Sequence, residues 1–179
     1  EKYDFDKKYG RIITMNASAR GPFMPQWSKE CWLDKFTSKL SDKVKIVGTT
    51  INCQRWTVDR EHSKWMKNRP HLQSMILAID KAAVRPLIEL YRCFDDKDDA
   101  IFEGEVRNIM RMKQLGYSVY AFNNQFQKDN VDIDACYHGI TNVIHPYEVL
   151  FIKIASYLSP EMTEAITIAQ SRRSVKPNY

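Results

Sequence analysis

The sequence has no C-x-x-C pair and no H-x-x-x-H or H-E-x-x-H spacing, which removes the usual sequence patterns of a zinc site. Its four cysteines, Cys31, Cys53, Cys93 and Cys136, are widely separated and too sparse for a disulfide scaffold in 179 residues. That usage favours a reducing compartment and identifies none. No apolar run approaches the ~20 residues that cross a bilayer, and Glu1-Lys2-Tyr3-Asp4 does not lead into the apolar core of a signal peptide. No segment repeats another.

At 44% hydrophobic and 12% aromatic the chain has enough apolar surface for one sizeable core, and 27% charged residues is ordinary for a soluble domain. The expected organisation is a single α/β domain over 1–172 with a flexible tail over 173–179. A net charge of +5 favours anionic partners, without choosing among nucleotides, phosphates, nucleic acid and acidic protein surfaces.

Arg11-Ile12-Ile13-Thr14-Met15 reads as a buried strand. The following Asn16, Ser18 and Arg20 place hydrogen-bonding groups and a fixed positive charge where the chain turns, and ligands of open α/β proteins bind at the carboxyl ends of strands. The plainer reading is an ordinary loop, with Asn16 and Ser18 bonding local backbone and Pro22 stiffening the exit. Trp32, Phe36 and Leu40 share helical spacing, and the β-branched run Val44 to Ile51 predicts a second strand.

The stretch 54–70 breaks the pattern. Arg55, Arg60, Lys64, Lys67 and Arg69 outnumber Asp59 and Glu61, with Trp56 and Trp65 interleaved. It reads as an exposed loop or, through phosphate contacts and base stacking, as a nucleic-acid surface.

From His71 to Tyr91, Leu72, Met75, Ile76, Ile79, Ala83, Leu87 and Leu90 recur at helical offsets, which predicts an amphipathic helix opened by Pro70 and kinked or ended by Pro86. His71 and Ser74 would share one face of it. The acidic run Asp95 to Asp99 suits a helix start better than a metal site, and that helix would stop at Gly116. Tyr117 to Phe122 reads as a third strand and 123–142 as a long polar loop. A helix from His145-Pro146 would carry Val149, Leu150, Ile154, Tyr157 and Leu158, and Ser159-Pro160 would cap a last one running to about Arg172. The order of elements is that of an α/β protein with few strands.

Several separated segments together resemble a family. Asn16-Ala17-Ser18-Ala19-Arg20-Gly21-Pro22-Phe23 resembles the N-S-S-V-R-G-P-F segment of glycosyltransferase-like proteins related to those of polysaccharide and rhamnan synthesis. Val47-Gly48-Thr49-Thr50-Ile51-Asn52-Cys53 is similar to their V-G-T-T-I-N strand, and His71-Leu72-Gln73-Ser74-Met75 to their H-(V/L)-Q-S-M helix. Gly104-Glu105, Gly116-Tyr117 and the run His145 to Lys153 complete the series.

The resemblance implies a nucleotide-diphospho-sugar transferase sandwich of the A type. The family's nucleotide-binding strands would precede residue 11, so the form expected here is partial, lacking them. It implies transfer of a sugar from a nucleotide sugar to a glycan acceptor hydroxyl. Asn16, Ser18, Arg20, His71, Gln73 and Ser74 would bind the donor, and Asp80 or Glu105 would act as general base. Active members commonly hold Mg²⁺ or Mn²⁺ on an Asp-x-Asp motif. Asn16-Ala17-Ser18 stands in its place without a carboxylate, and no metal ligand is assigned. Plainer readings make His71 a cap or packed imidazole, Asp80 and Glu105 surface or ion-paired carboxylates, and His145 a helix-entry residue. The competing expectation is a non-catalytic relative, a structural or interaction subunit of a larger complex on an acidic or nucleic-acid partner.

Overall fold

The computed structural model describes residues 5–53, 70–123, 145–153 and 159–172. The basic stretch 54–69, the loop 124–144, the predicted helical positions 154–158 and the tail 173–179 lie outside the described residues. The strands are β1 (Arg11–Met15), β2 (Ala19–Arg20), β3 (Val44–Gly48), β4 (Ile51–Cys53), β5 (Pro70–Leu72), β6 (Ile76–Asp80), β7 (Ser118–Ala121) and β8 (Ile152–Lys153). The helices are α1 (Phe5–Lys8), α2 (Trp32–Thr37), α3 (Lys81–Leu90), α4 (Lys97–Asp99), α5 (Asn108–Gln114), α6 (Pro146–Val149) and α7 (Pro160–Ser171).

The chain is mixed α/β. Four strands form the main sheet in the order β1-β6-β3-β7, with β6 antiparallel to both neighbours and β3 parallel to β7. The pairs β2-β8 and β4-β5 stand beside it as separate ladders. Each face of the main sheet covers its own core. Ile76 and Ala78 of β6 pack with Phe23, Phe36, Val47, Leu150 and Phe151 on one face. Leu77 and Ile79 pack with Ile46, Val84, Leu87, Ile109 and Met112 on the other. Side chains of a strand alternate between faces, so β6 is apolar at successive positions because both faces are dry. Burying each of its large side chains contributes roughly 1.5–3 kcal/mol.

That double burial corrects the reading of His71 to Tyr91 as one helix. Its first half is two strands, β5 and β6, and the helix begins only at Lys81, with the Asp80 side chain accepting from the Ala82 N–H at 3.0 Å. Pro86 lies inside α3 without ending it. β1 is also not the buried strand expected. It borders the sheet among the described residues, and Met15 is 53% exposed. The helix from His145 is one turn long, stopped by Leu150 in the left-handed region at φ 65°, and β8 follows.

Other expectations hold. Asp96 caps α4 by accepting from the N–H groups of Asp98 and Asp99, Gly116 ends α5 at φ 79°, and the Ser159 hydroxyl caps α7 by accepting from the Met162 N–H.

Candidate functional site

Because β1, β3 and β7 run one way and β6 the other, the carboxyl ends of three strands and the amino end of β6 share one rim. Met15 pairs with Ile76, Gly48 with Leu77, and Gly48 also with Ala121. The connections leaving this rim hold Asn16 to Ser18, Thr49-Thr50, Phe122-Asn123 and, entering β6, Gln73 to Met75. Four of the segments that carry the family resemblance contribute to this rim or lie directly against it.

Asn16 opens a tight local turn. Its Oδ1 accepts from the Ser18 N–H at 3.1 Å and from the Ser18 hydroxyl at 2.6 Å, while its own N–H donates to the Met75 carbonyl at 3.0 Å. The turn leads into β2, where Ala19 and Arg20 pair with Lys153 and Ile152. The segment Asn16 to Phe23 is therefore zipped to the segment His145 to Lys153. Gly21, at φ 151°, seals the junction, since a β-carbon there would meet the Leu150 carbonyl oxygen and the Phe151 ring. The Phe23 N–H donates to the Leu150 carbonyl at 2.7 Å. Among the described residues the half-buried Arg20 side chain has neither an ion pair nor a hydrogen bond, leaving a cation near the rim without a counter-charge.

The Gln73-Ser74 turn is held from two sides. The Gln73 N–H donates to the Thr50 carbonyl at 3.1 Å, and the Thr50 hydroxyl donates to Gln73 Oε1 at 2.5 Å. Opposite, the Ser74 N–H donates to Glu105 Oε1 at 2.5 Å. Glu105 is presented by an irregular helical run in which a wide π turn over Ala100–Gly104 gives way to a tight 3₁₀ turn over Glu105–Arg107. Such departures from regular helix recur at functional sites.

Asn108, three residues on, fixes the run to β5. Its Nδ2 donates to the Leu72 carbonyl at 2.8 Å and to the Tyr91 hydroxyl at 3.0 Å, and its Oδ1 accepts from the Leu72 N–H at 3.1 Å. The side chain thus replaces a neighbouring strand for one residue of β5. Burial pushes the Tyr91 phenol far above its ordinary range; the Asn108 hydrogen bond opposes this and the Glu105 charge adds to it.

The structure separates the sequence-derived candidates. Asn16, Ser18, Gln73, Ser74 and Glu105 gather at the rim, with Arg20 on the adjoining β2. His71 is 1% exposed within β5, backbone-paired with Asn52, so it opens no helix and shares no helix face with Ser74. Asp80 lies at the far end of β6, four steps of roughly 3.3 Å from Ile76. There it caps α3 and sits 3.3 Å from the Lys45 ammonium. That geometry removes Asp80 from any chemistry at the rim. His145 is a helix-entry residue whose Nδ1 accepts from the Tyr147 N–H at 3.2 Å.

Sequence reasoning missed Asn108, Tyr91, Thr49 and Asn123. Asn108 carried a usable signal, an amide on the apolar side of a helix three residues after Glu105. Asn123 carried none, because nothing in a single sequence separates a buried asparagine at a strand end from the start of a polar loop.

The donors at Asn16 to Ser18 do not fit a hard divalent cation. Such an ion takes carboxylate or free carbonyl oxygens, whereas Asn16 Oδ1 already accepts twice from Ser18. Among the described residues, no three histidine, cysteine, aspartate or glutamate side chains gather as a metal group, and no helix is long and apolar enough to cross a membrane. Cys31 and Cys93 are free and exposed. No family model matches the chain, and no curated protein or solved structure matches it either.

Proposed function

We propose that this chain is built on a nucleotide-diphospho-sugar transferase sandwich of the A type, moving a sugar from a nucleotide sugar to an acceptor hydroxyl, with Glu105 as general base. The observation that carries this reading is the line of contacts across the rim. Asn16 bonds the backbone of Met75, and the adjacent Ser74 bonds the Glu105 carboxylate. The donor segment and the base thereby meet on one edge.

Glu105 suits the role because, among the described residues, only one of its oxygens is engaged, by a neutral N–H, and no cation pairs with it. In the step that follows, the acceptor hydroxyl loses its proton to Glu105 as its oxygen bonds to the anomeric carbon. The bond from that carbon to the diphosphate breaks, and the leaving oxygen takes the electron pair. Displacement at the face opposite the leaving group inverts the anomeric centre. Charge accumulates on the diphosphate, and Arg20 is the described cation closest in sequence to the Asn16 turn able to offset it through charge-assisted hydrogen bonds. Gln73 and Ser74 orient the sugar.

A second reading has one observation in its favour. The Asn16-Ser18 turn satisfies itself and carries no carboxylate, as expected of a non-catalytic relative that serves as a subunit of a larger complex.

The deciding experiment measures thermal stability of the purified chain against a panel of nucleotide sugars, with and without Mn²⁺, alongside transfer to glycan acceptors. A shift with at least one donor, and transfer that Glu105→Gln abolishes, supports the enzyme. No shift with any donor, together with copurification in a large assembly, favours the subunit.

A further inference from the structure

Two fully buried polar groups at the rim lack a hydrogen-bond partner among the described residues: the Thr49 hydroxyl and the Asn123 carboxamide nitrogen Nδ2. Thr49 is 0% and Asn123 3% exposed. They are neighbours at the carboxyl ends of the parallel pair β3 and β7. The Phe122 N–H donates to the Thr49 carbonyl at 3.0 Å, and the Ile51 N–H donates to Asn123 Oδ1 at 3.2 Å. The second bond also sets the orientation of the carboxamide, because turning it over would leave the Ile51 N–H facing a donor. Native structures seldom leave buried donors unmet, and each such group calls for a partner or a function.

We infer that Thr49 and Asn123 form a binding dyad for a hydroxyl of a neutral sugar, the acceptor of the reaction proposed above, and the inference rests on that reading. The chemistry of the neighbourhood selects the ligand class. Thr49, Thr50, Gln73 and Asn123 are all uncharged hydroxyls and amides. An anion would find no cation among them, whereas a sugar hydroxyl both donates and accepts, matching the Thr49 hydroxyl and the Asn123 amide together. The Thr50-Gln73 hydrogen bond fixes one wall, and Gln73 leads directly to Ser74 and its Glu105 carboxylate. The dyad therefore holds the acceptor on the β3-β7 side of the base while the Asn16 turn and Arg20 lie on the β1 side.

The test is saturation-transfer-difference NMR on the full chain. The probes are the methyl glycosides of glucose, galactose and mannose at millimolar concentration, with inorganic phosphate as the anionic control. At least one glycoside is expected to bind. Thr49→Val should weaken it about tenfold with a melting temperature no lower than wild type, since the lost hydroxyl has no partner among the described residues. Thr49→Ser should retain binding. The inference is overturned if no glycoside binds, if Thr49→Val binds as wild type does, or if Thr49→Val melts lower while Thr49→Ser does not, which would mark the hydroxyl as held by a structural water.

Failure of the two ideas separates cleanly. Glycoside binding that depends on Thr49, in a chain without transfer activity, sinks the enzyme reading and leaves the dyad. Transfer activity that Thr49→Val does not alter sinks the dyad alone.

Discussion

Near each end of β6 stands a carboxylate that the sequence offers as a base, and their surroundings differ. At the far end Asp80 is committed, capping α3 and facing Lys45 across 3.3 Å, with side chains only 21% and 12% exposed. At the rim Glu105 is held by one backbone N–H, and among the described residues its second oxygen is open. A carboxylate that both ends a strand and starts a helix is occupied by architecture. One delivered by an irregular helical turn beside a polar edge remains available for chemistry.

The contrast breaks most sharply through Glu105→Gln. The amide keeps an oxygen for the Ser74 N–H, so the melting temperature should stay close to wild type while transfer falls by roughly 10²–10⁴-fold. Equal activity of the variant in a direct transfer assay would show that the base lies elsewhere. Next in size is Asn108→Leu, which strands the Leu72 N–H and carbonyl and the Tyr91 hydroxyl. Denaturant unfolding should register a loss of about 3 kcal/mol, and a loss under half of that would mean Asn108 does not position the rim. Asp80→Asn should cost about 1 kcal/mol through the weakened ion pair, with turnover within about twofold of wild type. A collapse of turnover at unchanged stability would reverse the assignment of the two ends.

The smallest effect at neutral pH comes from Tyr91. Its phenol is raised in the folded state by burial, so the unfolded chain ionises first as pH rises. Stability should be flat below the ordinary phenol value of about 10 and fall above it. Tyr91→Phe should remove that part of the alkaline slope, and an unchanged slope would place the phenol in water.

Local signals were legible where one residue decides the outcome. Asp96, Gly116 and Ser159 end or begin helices by chemistry that works within a single turn. The strands around residues 11, 44 and 118 followed from short apolar, β-branched or aromatic runs, and the α/β class from the order of elements. What failed was periodicity in β5 and β6. Leu72, Met75, Ile76 and Ile79 mimic helical spacing because β6 is dry on both faces and loses the polar half of its alternation. The mistaken helix then misplaced His71 and carried Asp80 along a helix face instead of to the far end of β6. Four of the resembling segments lie at the rim, but no segment says which side chains in them face one another. The Asn108 clamp and the Thr49-Asn123 pair depend on contacts across the fold, which no single segment records.

Closure of the Asn16 to Phe23 segment has a consequence for how the protein is made. Its partners are Ile152 and Lys153 in β8, while the Met24 N–H donates to Gln170 Oε1 in α7 at 2.9 Å, across a separation of 146 residues. Contacts of such sequence separation form late and slowly. On the ribosome, the Asn16 to Ser18 turn must therefore wait without its β8 partner until nearly all of these residues have emerged. Chains halted before residue 152 would expose Phe23 and Met24 to chaperones rather than fold them away.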